Sequence, residues 1–150
     1  MSHKSPKIAA LIAELQGRDL DAHYLGYFAC FNRGQFYEAH DVLEELWLAD
    51  RNGPNGSFYK GLIQLAGAFV HLQKDCQNYP RLRPAAALFK LATANFRQYP
   101  ARHERLDLEV VRSHIEEWLR RLESDGFAKN PLTAENAPKL SLQDAVREAR

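Results

Sequence analysis

The stretch Phe36-Tyr37-Glu38-Ala39-His40-Asp41-Val42-Leu43-Glu44-Glu45-Leu46-Trp47 decides the fold, because its apolar residues recur at the period of a helix and not of a strand. With successive residues about 100° apart around an axis, Phe36, Leu43 and Trp47 fall within about 40° of one another, flanked by Ala39 and Leu46. Glu38, Asp41 and Glu45 fall near the opposite side, where solvation accounts for them. His40 and Glu44 break this division. His40 lies about 40° from Phe36, inside the apolar stripe, and Glu44 follows one turn later at about 80°, so both stand along the edge of a buried face.

The helical period continues in both directions. Helices are expected over about 6–16, 19–32, 35–49, 57–74, 84–99 and 106–123, punctuated by Gly17, Gly34, the Asn52-Gly53-Pro54-Asn55-Gly56 cluster, Tyr79-Pro80, Pro100 and Gly126. Ser5 is placed to cap the first, with Pro6 at its first helical position. No short run alternates convincingly between turn signals, so no strand is predicted. The expected fold is all-α, a single compact bundle of five or six helices. It occupies residues 1–126, and 127–150 form a C-terminal arm, extended or with a late short helix, because Pro131 and Pro138 stand among few large apolar residues.

The chain has 150 residues, 45% of them apolar and 26% charged, which excludes disordered, collagenous and disulfide-scaffold classes. A chain of this size buries about 70% of its unfolded surface and needs no staple. The longest apolar stretch, residues 62–72, is broken by Gln64 and His71 and falls short of the roughly 20 residues of a membrane span. The apolar segment after Lys4 and Lys7 is interrupted by Glu14 and lacks a small-residue cleavage site, so the expectation is a cytoplasmic protein with no membrane association. Cys30 and Cys76 form no CxxC pair and are expected to be buried free thiols. HExxH, ExxH, phosphate-loop, dinucleotide and serine-elbow motifs are all absent, which removes the main support for zincin, di-iron, nucleotide and serine-hydrolase chemistry.

His40 and Glu44 therefore carry whatever chemistry the sequence displays. A carboxylate kept from water must be paired or metal-bound. In one reading His40 and Glu44 hydrogen-bond to each other or to a neighbouring helix above Trp47, and the network fixes how helices dock. In the other, an imidazole and a carboxylate at i,i+4 offer two ligands to a divalent transition metal, or line a small-ligand site. A metal needs further ligands from elsewhere. The fourth helix is apolar around most of its circumference, yet Lys60, Gln64, Gly67 and His71 share a narrow polar stripe. That stripe either faces solvent or points at His40 and Glu44, with Gly67 leaving room for a water, ion or ligand. His71 is then the candidate third metal ligand, and Asp19 with His23 is the second candidate.

Residues 40–47 fit an HxxxExxW pattern, and with Phe31-Asn32-Arg33-Gly34-Gln35-Phe36-Tyr37-Glu38-Ala39 and Gly61-Leu62-Ile63-Gln64-Leu65-Ala66 the sequence resembles the bacterial and archaeal domain of unknown function family 309 over about residues 20–95. The resemblance implies a small all-helical domain of undetermined activity. It also implies that the family's His, Glu and Trp, here His40, Glu44 and Trp47, carry its function and are candidates to bind metal.

Charge is uneven although the net charge is only +1. Residues 35–50 hold five acids and no Lys or Arg, whereas 81–105 hold six bases against Glu104. Such segments suit docking on each other or on a second copy in a homo-oligomer, ahead of RNA contact by Arg97, Tyr99 and Arg102. The alternative to a metal or small-ligand site is thus a helical protein-protein interaction module in which His40, Glu44 and Trp47 are structural.

Overall fold

A computed structural model describes residues 6–143. It is all-α apart from one two-residue-per-strand hairpin, with elements α1 (Pro6–Leu15), α2 (Ala22–Asn32), α3 (Phe36–Asp50), α4 (Gly56–Lys74), α5 (Leu82–Phe96), β1 (Arg102–His103), β2 (Leu106–Asp107) and α6 (Leu108–Glu123). α4, buried nearly all round, runs between α3 and α5 as the central helix, with α2 packed on α3 and α6 on α5. Phe69 ties the layers together: its ring lies 4.9 Å from Phe36, 5.9 Å from Phe31, 5.3 Å from Phe89 and 5.1 Å from Trp118. α2, α3, α5 and α6 therefore all meet α4 at one aromatic cluster, whose edge-on and offset contacts fill the core closely.

Local chemistry sets the helix ends. α2 begins at Ala22, three residues later than expected, because Asp21 caps it, its Oδ1 accepting from His23 N at 2.7 Å. The chain turns out of α2 at Gly34, whose φ of +75° suits a residue without Cβ. α6 begins at Leu108, with Asp107 Oδ1 accepting from the backbone of Glu109 and Val110. Cys30 is buried as expected, and burial pushes its thiol up to about 11, which keeps it inert. Cys76 is exposed, contrary to the expectation from sequence: it lies in the turn after α4, bridged to Tyr79, where no helix covers it.

The hairpin has no counterpart in the sequence pattern. Its strands are too short to show alternation, and its two turn residues, Glu104 (φ 50°) and Arg105 (φ 61°), take left-handed conformations usually given to Asn or Gly. Contacts hold that strain. Tyr24 Oη donates to Glu104 O at 2.8 Å, Asn55 Nδ2 donates to Glu104 Oε2 at 3.0 Å, and Arg105 pairs with Asp19 at 2.8 Å. His103 Nε2 lies 2.7 Å from Asn55 Oδ1. Asp19 thus precedes α2 and serves the hairpin, while His23 lies against Asp21 and Glu45. The two do not form the helical i,i+4 pair anticipated for them.

Beyond α6 the described chain runs without helix to residue 143. Asn32 grips Leu140 on both sides, Nδ2 donating to its carbonyl and Oδ1 accepting from its N–H, each at 2.7 Å. Leu140 is buried, and Leu142 bridges Leu106. Residues 144–150 lie outside the described residues. Among the described residues, no helix is long and apolar enough to cross a membrane.

Candidate functional site

A cleft of about 470 Å³ lies between α3 and α4. The loop after α3 reverses the chain, so the two helices face each other in opposite directions, and two cation–π contacts mark their register. Lys60 Nζ stands 4.3 Å from the Trp47 ring centre at one end, and Lys74 Nζ stands 5.4 Å from that of Tyr37 at the other. From Lys60 to Lys74 the cleft follows α4 for about 21 Å at 1.5 Å per residue. His40 and His71 line it next to the Tyr37–Lys74 end; Glu44, Gln64 and Gly67 line its middle; Ile63, Val70 and Leu88 supply apolar wall.

The two polar stripes read from sequence therefore converge. His40, Glu44, Trp47, Gln64, Gly67 and His71 all line this one cleft. Tyr37, Ile63, Val70, Lys74 and Leu88 are wall residues that the sequence reading does not place at the site. Lys74 continues the stripe Lys60, Gln64, Gly67, His71 by one further helical step, and Tyr37 lies one turn before His40, so both had a signal. Leu88 comes from α5 and had none.

The expected pairing of His40 with Glu44 is not formed. Among the described residues neither side chain makes a hydrogen bond or ion pair; His40 stacks on Tyr37 with ring centres 6.0 Å apart, and the half-buried Glu44 lines the cleft. His40 Nδ1 and His71 Nδ1 are both buried without a hydrogen-bond partner. For a protein interior that is costly, and two such atoms on facing helices are unusual. Burial lowers the pKa of His71, and the nearby Arg81 and Lys74 lower it further, so its imidazole is neutral near neutral pH. Gln64 is the buried polar residue of the core, and its Oε1 accepts from Asn95 Nδ2 at 2.7 Å.

Metal binding asks more than these groups provide. Among the described residues no three His, Cys, Asp or Glu side chains are grouped so that they could hold a metal ion. Two of the six bases in 81–105 pair with acids outside α3, Lys90 with Glu123 and Arg105 with Asp19.

Fold and cleft together define a small helical protein with a polar-lined cavity between antiparallel helices. Residues 24–79 match the family described as Domain of unknown function (DUF309). The matched segment holds nearly all of α2 and the whole of α3 and α4, and with them every wall residue of the cleft except Leu88. The chain is also similar to an uncharacterized protein of Aquifex aeolicus (strain VF5), 30% identical over 89 residues. These make up 59% of this chain and 25% of that relative, so the match spans a quarter of the relative's length.

Proposed function

We propose that the α3–α4 cleft is a small-ligand site with His40, His71 and Glu44 as its polar contacts and Trp47, Gln64 and Gly67 as its lining. The observation that carries this reading is the pair of imidazoles brought to one cavity with neither bonded to Glu44 nor to each other. A structural network would have paired them, since a buried polar group left unsatisfied costs about 1–3 kcal/mol. The volume suits a small organic molecule, and the lining sets the apolar wall of Trp47, Ile63, Val70 and Leu88 beside its polar groups.

Removing His40 separates this reading from the interaction-module alternative. His40→Ala is expected to change stability by less than about 1 kcal/mol in denaturant titration, because no hydrogen bond is lost, while abolishing ligand-induced stabilisation in a screen of small metabolites. A loss of about 2 kcal/mol or more with no ligand response in the wild type would mean that the pair is structural. The divalent-metal version rests on His40, Glu44 and His71 and is the weaker form of the proposal, since no three-ligand group supports it among the described residues. Elemental analysis after chelator-free purification tests it: a stoichiometric metal that disappears in His40→Ala would restore it over the metal-free form.

A further inference from the structure

The cleft's polar atoms are mostly hydrogen-bond donors. Lys60 and Lys74 are donors only. Gln64 has its oxygen occupied by Asn95, so what its amide keeps to offer is N–H. In both histidines the sealed nitrogen is Nδ1. A buried lone pair without a donor is better tolerated than a buried N–H without an acceptor, so a ring that carries a single proton holds it on Nε2, which makes that atom a donor as well. Against these stand the Glu44 carboxylate, the one charged acceptor of the lining, and two neutral oxygens, the Tyr37 hydroxyl, which also donates, and Gln64 Oε1, already taken once by Asn95.

We infer that the cleft takes an organic anion, an apolar body carrying a carboxylate or phosphate oxyanion, with the oxyanion held at the end formed by Tyr37, His40, His71 and Lys74. This rests on the small-ligand reading above and names its ligand class. Position follows from charge. Glu44 stands one turn from His40 toward Trp47 and Lys60, and it repels an oxyanion there while Lys60 offsets it. The opposite end has Lys74 beside the two imidazoles with no carboxylate in the wall, and Arg81 acts on His71 from just outside. An oxyanion there would accept charge-assisted hydrogen bonds from groups that otherwise lack acceptors. Trp47, Ile63, Val70 and Leu88 then cover the apolar body, and Gly67 leaves it room.

Four probes of one size separate the possibilities: phenylacetate, phenyl phosphate, neutral phenylacetamide and cationic phenethylammonium, each titrated into the full chain and followed by amide and Trp47 indole N–H shifts in NMR spectra. One of the two anions is expected to bind at least tenfold more tightly than phenylacetamide, and which one does so tells carboxylate from phosphate. In Lys74→Met, checked for folding by circular dichroism, that advantage is expected to vanish while phenylacetamide binds as before. Equal or tighter binding of the amide or the ammonium would overturn the anion class and leave the small-ligand reading standing. An anion preference unchanged in Lys74→Met would overturn the placement of the oxyanion. No shift from any of the four would remove the small-ligand reading together with this inference.

Discussion

His103 and His71 lie near opposite ends of α4 and are treated in opposite ways. Around His103 the polar groups are joined: its Nε2 meets Asn55 Oδ1, Asn55 Nδ2 reaches the Glu104 carboxylate, and Tyr24 holds the Glu104 carbonyl. The His103 ring also packs edge-on against Phe58 at 4.7 Å. Around His71 the imidazole nitrogen is buried and unpartnered, and the neighbouring His40 is left the same way. The first region uses polar groups as architecture, clasping a strained turn to the rest of the fold. The second leaves two imidazoles along an open cleft bonded to nothing in the chain, the contrast on which the proposed ligand site rests.

The sharpest break in that comparison is Asn55→Ala. It strands His103 Nε2 and the Glu104 carboxylate and leaves the strained turn to Tyr24 and Asp19 alone, so a loss of about 2 kcal/mol is expected, or about 4–8 °C in thermal unfolding. A change below about 0.5 kcal/mol would show that the clasp is ornamental to stability.

Gly67→Ala acts in the cleft with the opposite sign. A Cβ there meets only Leu88 Cδ1, at 3.1 Å, the mobile end of a half-buried side chain. Relief of the glycine's helix penalty should therefore raise stability by about 0.5–1 kcal/mol in urea titration, while the added methyl narrows the cavity and weakens whatever occupies it. Destabilisation would mean that Leu88 cannot yield and that the cleft is packed more tightly than it looks.

The smallest expected effect is one of pH. His71 has its folded pKa below the ordinary 6.5, chiefly through burial, then through Arg81 and Lys74. The unfolded chain then binds the proton first, so stability is unaffected above that range and falls as pH drops through about 6.5 toward the lowered value. His114, lowered by burial, acts in the same direction. Measured between about pH 7.5 and 5, the slope in His71→Leu should be shallower than in the wild type but not flat. Identical slopes would mean that His71 is solvated in solution.

Much of the cleft is legible in the sequence alone. The Phe36-to-Trp47 stripe places His40 and Glu44 at the margin of a buried face, and the stripe on α4 places Gln64, Gly67 and His71 on one line, because side-chain direction on a helix is a local property of spacing. The hairpin is not legible there, since Glu104 and Arg105 carry no turn chemistry of their own and are held by Tyr24, Asn55 and Asp19, the first of them 80 positions away in sequence. Nor is the course of the arm, which depends on Asn32 gripping Leu140 across 108 positions.

Spacing along the chain carries its helical class, the breaks between helices and which residues share a face, because each depends on neighbours within a few positions; it misses some helix ends, such as the start of α2 at Ala22 and both ends of α5, Leu82 and Phe96. Long-range packing is what turns the polar face of α4 toward that of α3, and what leaves His40 and Glu44, one turn apart on α3, lining an open cleft without pairing. Which faces meet, and how much room is left between them, is set by long-range packing around Phe69 and by the register of two antiparallel helices, neither of which any local period encodes.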